Sequence, residues 1–225
     1  MVRACVIFGT GLLDIPNFFS NTYDSKINLI RSESEWGSVP IYSVVNNDDF
    51  IFFINRHHST DSLPKPPHII EHRANIHAVI STMPDFIICI NSVGSIHDGF
   101  APGQISLTSD IIDLSDYSWS FHDTMAIHAD RTSMFDDRLK LSLSKIIKNK
   151  QKSFIPEIVV AQCNGPQFES PAEINALEIM GANAVNMTIG PESRLLSEHS
   201  VPFVSLIYSA NWASGRNPNN KNNII

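Results

Sequence analysis

Cysteine is scarce in this chain: among 225 residues there are three, Cys5, Cys89 and Cys163, each inside an apolar stretch. An odd count without paired spacing offers no disulfide framework and no zinc or redox motif, and it suits a reducing compartment. All three are expected to be buried as small hydrophobes, and the protein is expected to be cytoplasmic. Positive charge is also short. Sixteen Lys and Arg face 23 Asp and Glu, a net charge of -7, which argues against long contacts with a nucleic-acid backbone. A small anion needs less, because one Arg and a few backbone N–H groups can hold it. No apolar run approaches the ~18 residues of a membrane helix, so no membrane partner is expected. Residues 1–8 lack the apolar core and cleavage pattern of a signal peptide and read better as a first strand.

What is present is the makeup of a globular domain, 43% hydrophobic and 17% charged. Short apolar runs recur at Ala4–Phe8, Ile41–Val45, Phe50–Ile54, Phe86–Ile90, Ile158–Ala161, Ala184–Met187 and Phe203–Tyr208. Unbroken runs of this kind predict strands buried on both faces. Helical spacing lies between them, over His68–Met83 with Ile69, Ile76, Ile80 and Met83 on one side, and over Phe135–Lys148. Ser170-Pro171-Ala172-Glu173 spells a capping box with Pro at the first helical position, and Gly181 stops that helix. Gly190-Pro191-Glu192 opens another, ending near Ser200. The alternation predicts an α/β fold: a single domain over residues 1–216, with a mixed, largely parallel β-sheet flanked by helices. Residues 217–225 form an Asn-rich polar tail.

Several short segments could carry chemistry. Gly9-Thr10-Gly11 follows the first strand, where a glycine turn lets backbone N–H groups and a hydroxyl approach an anion, or simply turns the chain. Arg56-His57-His58 follows a strand and offers a planar fork with a neighbouring imidazole to phosphate oxygens; a solvated basic turn has the same composition. Asn91-Ser92-Val93-Gly94-Ser95 ends the most apolar strand, at the level where α/β proteins bind ligands, or is a tight turn. Within Gly165-Pro166-Gln167-Phe168-Glu169, the last carboxylate is not used by the capping box. Beside Phe168 it could accept an N–H from a stacked base; an exposed loop carboxylate is the alternative. His122-Asp123 and His128-Ala129-Asp130 lack zinc-type spacing, so no metal is expected.

The order of these segments resembles the trimeric purine nucleoside phosphorylase and methylthioadenosine phosphorylase family, and within it the methylthioinosine phosphorylases most closely. The resemblance runs from about Ala4 to Gly215 and also takes in Arg73-Ala74-Asn75, Gly181-Ala182-Asn183, Asn186-Met187-Thr188 and Pro191-Glu192. It implies a homotrimer that splits purine nucleosides in purine salvage, with inorganic phosphate as co-substrate and no further cofactor. By the same resemblance Thr10, Arg56, His57 and Thr188 would hold phosphate, with the Ser92 amide nearby. Met187 would lie against the sugar, and Phe168, Glu169 and Asn211 would bind the base. His128 would reach the sugar's 5′ side in a neighbouring subunit. Asn211, Glu169 and His57 would be the catalytic set.

The family's adenine-specific members carry Asp where this chain has Asn211, and lack the Glu at the Glu169 position. Inosine, guanosine or 5′-methylthioinosine is therefore expected over adenosine-type nucleosides, with methylthioadenosine as the alternative substrate. Two departures stand out. The family has Gly where this chain has His58, and only fourteen residues follow Asn211. A long closing helix at the C-terminus is thus expected to be truncated, which leaves a nucleoside-binding pseudoenzyme as the reading from another class.

Overall fold

The computed structural model describes residues 1–59, 63–151, 154–155 and 157–219. The most apolar runs sit at the centre of a nine-stranded sheet. β1 (Arg3–Phe8) lies between β4 (Asp49–Asn55) and β5 (Phe86–Ser95), parallel to both. β2 (Asn28–Ser34) and β3 (Gly37–Asn46) form an antiparallel hairpin that joins β4. Beyond β5 come β8 (Ala184–Asn186), β7 (Ile158–Gln162), β6 (Ile105–Asp113) and β9 (Phe203–Trp212). β9 also pairs in parallel with β5, so these five strands close on themselves instead of leaving an open edge. Five of the nine sheet pairings of the described residues are parallel, and the expected mixed, largely parallel α/β sheet is what the chain forms.

Each expected strand is present, and so are two that the apolar runs did not mark. β2 is an edge strand that lies largely in water: Ser32 is its only buried residue, and its apolar pair Leu29 and Ile30 is exposed. β6 is interrupted by Ser106 and Thr108, which are fully buried but satisfied: Ser106 Oγ donates to the Ile155 carbonyl, and Thr108 Oγ1 to Ser205 Oγ at 3.0 Å. β5 runs on to Ser95, so residues 91–95 are strand and not a turn.

The helices are α1 (Ile15–Thr22), which was not expected, α2 (His72–Ser81), α3 (Asp137–Lys150), α4 (Pro171–Ile179) and α5 (Ile189–Ser197). The expected helix over His68–Met83 is shorter than its spacing suggested. Pro66 and Pro67 confine residues 67–69 to a separate 3-10 turn, and Glu71 starts α2 by accepting from the Arg73 amide. Ile69 and Met83 therefore fall outside the buried face, 56% and 72% exposed, while Ile76 is fully buried. The capping box is as spelled: Ser170 Oγ accepts from the Glu173 amide at 3.2 Å, and Glu173 Oε2 from the Ser170 amide at 2.7 Å. Gly181, at φ 102°, takes the left-handed conformation that ends α4.

Cys5 and Cys89 are buried as expected, but Cys163 is only half-buried, because it has left β7 and entered the loop before α4. Of the polar tail, residues 220–225 lie outside the described residues, and 213–219 form turns. Among the described residues no helix is long and apolar enough to cross a membrane.

Candidate active site

A cavity of about 620 Å³ opens at the carboxyl ends of β1, β4, β5, β8 and β9, where ligands of α/β sheets collect. Its wall includes Thr10, Arg56, His57, Ser92, Phe168, Glu169, Met187, Thr188 and Asn211. Nine of the ten residues expected at a site are thus brought to one place. His128 is not among them: it is exposed in the long connection between β6 and α3.

The floor of one side is a buried polar network. Arg56, 2% exposed, leaves the end of β4 and turns inward. Its Nε donates to Glu192 Oε1 at 2.5 Å and its Nη2 to Glu192 Oε2 at 3.3 Å, while Nη1 donates to the Ile90 carbonyl at 2.9 Å and Nη2 also to the Ile7 carbonyl at 3.3 Å. Four of the five guanidinium hydrogens are thereby taken among the described residues. The open one is on Nη1, the nitrogen nearest Gly9. The planar fork expected to face phosphate therefore faces Glu192 instead, and Arg56 presents a single N–H to the cavity. A Cβ on Gly9 would stand 3.1 Å from Nη1, so a bare backbone there leaves that N–H reachable.

His57 is oriented by its own loop. Its amide donates to Asn55 Oδ1 at 3.0 Å, and Nδ1 lies 2.7 Å from the Lys65 carbonyl. A carbonyl can only accept, so Nδ1 carries the hydrogen and Nε2 is left with its lone pair, near Gly9. Burial holds His57 below the usual imidazole range, and the neighbouring Arg56 adds to this, against the opposing pulls of the Lys65 carbonyl and Glu192. The ring is neutral at pH 7.

Thr188 sits just before α5, but the helix amides are already satisfied. Asn186 Oδ1 accepts from the Thr188 and Ile189 amides at 2.8 and 2.7 Å, and Gln162 Oε1 accepts from Gly190 at 2.8 Å. What Thr188 adds to the cavity wall is therefore its hydroxyl and not a free helix N-terminus. This hydroxyl accepts from Asn91 Nδ2 at 3.1 Å and donates to Asn186 Oδ1 at 3.3 Å. Asn186 Nδ2 in turn donates to the Ser92 carbonyl at 2.7 Å, tying β8 to β5 beneath the cavity.

The other side is built differently. A bulge in the β5–β9 pairing skips Ala210: Ser209 stands opposite Val93, but Asn211 opposite Gly94. The extra residue re-aims the strand end, and a Cβ on Gly94 would lie 3.5 Å from Asn211 Nδ2. That nitrogen donates to the Trp212 carbonyl at 2.8 Å. Phe168 is 61% exposed, an aromatic face open to a stacking partner. Glu169 lies beside Cys163, whose thiol is held far above its ordinary range by burial first and by this carboxylate second. Gly165 allows the close approach of Met187: a Cβ there would meet Met187 Sδ at 2.5 Å.

Sequence reasoning missed Glu192, Asn91 and Cys163 as members of this site. Glu192 and Asn91 stood within recognised segments, but Glu192 meets Arg56 across 136 residues and Asn91 meets Glu192 across 101, and neither link has a local signal. The chain as a whole is similar to known proteins. The chain is 30% identical over 228 residues to a probable 6-oxopurine nucleoside phosphorylase of Thermococcus kodakarensis, covering 97% of this chain and 82% of that one. It is 32% identical over 182 residues to a probable S-methyl-5′-thioinosine phosphorylase of Methanopyrus kandleri, covering 80% and 70%. The fold is shared with a methylthioadenosine-bound adenosine/methylthioadenosine phosphorylase mutant of Schistosoma mansoni, with a TM-score of 0.83 at 22% identity over 95% of this chain and 81% of that one. The model of the phosphorylase superfamily matches residues 64–224, and the chain belongs to that superfamily.

Proposed function

We propose that the protein cleaves 6-oxopurine nucleosides by phosphorolysis, giving free base and a sugar 1-phosphate. The observation that carries this reading is the meeting of two chemically distinct sets in one cavity. Thr10, Arg56, His57, Ser92 and Thr188 form an anion-sized group, and Phe168, Glu169, Met187 and Asn211 an aromatic and amide group. Relatives named as 6-oxopurine nucleoside and methylthioinosine phosphorylases support it.

Phosphate would be held by the free Nη1 hydrogen of Arg56 and the hydroxyls of Thr10 and Thr188. Neutral His57, with its hydrogen committed to Lys65, would use Nε2 to accept a hydrogen from protonated phosphate. As the glycosidic bond loosens, the sugar gains oxocarbenium character and the base gains negative charge. Phosphate placed at the anomeric carbon stabilises the cation and then attacks it. On the leaving side Asn211 donates to O6 and, as solvent protonates N7 of the departing base, accepts the new N7–H, while the Glu169 carboxylate accepts a hydrogen bond from N1–H, which stays on the base. No covalent intermediate on the protein is required.

The function is tested by base release from inosine and from 5′-methylthioinosine, with and without inorganic phosphate. Release that requires phosphate is expected; equal release without it would contradict the proposal. We further propose a homotrimer in which His128 serves a neighbour's cavity, since it lies outside its own chain's cavity. Light scattering should give three times the chain mass, and a monomeric mass would refute this.

A further inference from the structure

Glu192 is 1% exposed on α5 and touches two groups of the anion side at once. It takes the Nε and Nη2 edge of Arg56. Asn91 Nδ2 stands 3.3 Å from Glu192 Oε2 and 3.1 Å from Thr188 Oγ1, so one amide bridges the carboxylate and the hydroxyl. Ser205 Oγ, donating to Asn91 Oδ1 at 3.2 Å, fixes which way that amide points. The Thr188 hydroxyl, occupied on its acceptor side by Asn91, points its own hydrogen at Asn186 Oδ1, 3.3 Å away; that oxygen already accepts two amides at 2.8 and 2.7 Å, so a phosphate oxygen can compete for the hydrogen.

We propose that Glu192 is a positioning residue for phosphate: it holds Arg56 edge-on, so that only the Nη1 hydrogen faces the cavity, and through Asn91 it sets the Thr188 hydroxyl as a donor. The inference rests on the reading of Arg56 and Thr188 as phosphate ligands. Glu192 itself touches no substrate. Three donors converge on its two oxygens: Nε, Nη2 and the Asn91 amide. A carboxylate accepts all three. An amide of the same size accepts at one end only and turns its NH2 towards a donor at the other, which pushes the guanidinium and Asn91 apart.

Glu192→Gln is therefore the informative change, because the two effects of the substitution have opposite signs. Removing a negative charge beside the anion site would by itself tighten phosphate binding. Losing the orientation weakens it. Inorganic phosphate is titrated calorimetrically into the wild-type chain and Glu192→Gln, and base-release kinetics are measured in parallel. The expected result is a phosphate Kd and KM raised at least tenfold, with the nucleoside KM changed less than threefold. In an Arg56→Gln background, Glu192→Gln should raise phosphate KM by a smaller factor than in the wild-type background, since only the arm through Asn91 and Thr188 remains. A merely structural Glu192 would lower Tm and leave the phosphate constants alone. Phosphate affinity unchanged within twofold, or tightened, overturns the proposal. Where Glu192→Gln does not fold, Glu192→Asp replaces it: its shorter stem keeps the charge but cannot reach both Nε and Nη2, and an unchanged phosphate Kd refutes the proposal equally. If the wild-type chain binds no phosphate, the functional reading falls, and this inference with it. Phosphate-dependent release that is indifferent to Glu192 overturns this inference alone.

Discussion

Replacing Arg56 with Ala should damage the fold as well as the chemistry, and the structure gives the scale. As a phosphate ligand alone, Arg56 would contribute a charge-assisted hydrogen bond of about 1.5–3 kcal/mol to anion binding and little to stability. Its guanidinium, however, neutralises a carboxylate that is 1% exposed and satisfies two strand-end carbonyls, those of Ile7 and Ile90. Breaking a buried pair by deleting one member costs about 3–5 kcal/mol, since the remaining charge is left without a partner. For a chain of this size each kcal/mol moves Tm by roughly 2–4 °C, so Arg56→Ala should lower Tm by roughly 6–20 °C. Differential scanning calorimetry measures this directly. The double variant Arg56→Ala/Glu192→Ala should be less destabilised than the sum of the single variants, because it removes the orphaned charge. An Arg56→Ala protein with a Tm within 2 °C of wild type would refute the reasoning and return Arg56 to a simple ligand role.

Two more outcomes follow from particular side chains. His72 is almost fully buried against Trp119, its Nδ1 has no partner among the described residues, and burial followed by the charges of Arg56 and His57 pushes its pKa down to about 3 from 6.5. The folded state refuses a proton that the unfolded state accepts, so the stability tied to His72 is complete above about 6.5 and is lost as pH falls towards about 3, by about 1.4 kcal/mol per pH unit. Urea unfolding between those limits should show a shallower acid loss in His72→Met than in wild type; parallel curves would contradict this. Phe168→Ala should raise the nucleoside KM about tenfold, from a stacking contribution of roughly 1–3 kcal/mol, and leave the phosphate KM unchanged. Steady-state kinetics with each substrate varied would show the split, and a shift in the phosphate KM would place Phe168 wrongly.

Much of this molecule could be read along the chain, and the reasons are local. Buried parallel strands announce themselves as unbroken apolar runs, and the Ser170–Glu173 cap is written in four consecutive residues. β2 was silent because an edge strand with both faces largely in water needs no apolar run. β6 was silent because its buried hydroxyls are satisfied by partners about fifty and a hundred residues away. The closed circuit of five strands likewise depends on the β5–β9 pairing, which no local pattern encodes. At the site, strand-end motifs marked the wall, since each lies in the last residues of its strand or just beyond them. The role of Arg56 was only half legible. A guanidinium after a strand looks like an open fork until its partner is located, and Glu192 sits in a segment whose local pattern shows only the start of a helix. Asn211 needed the bulge at Ala210, an insertion visible only in the pairing.

Which purine the cavity accepts depends on Glu169 and Asn211 in its wall. A 6-oxopurine offers N1–H to the carboxylate and O6 to the amide. Adenine reverses that edge, leaving the carboxylate facing the lone pair on N1. A site built to hydrogen-bond one edge can reject the other by a factor of ~10⁴ in favourable cases. The decisive measurement is kcat/KM for methylthioinosine, inosine and guanosine against adenosine and methylthioadenosine at saturating phosphate. The 6-oxopurine nucleosides should lead, and Glu169→Gln should erode that lead. A higher kcat/KM for either adenine nucleoside would contradict it.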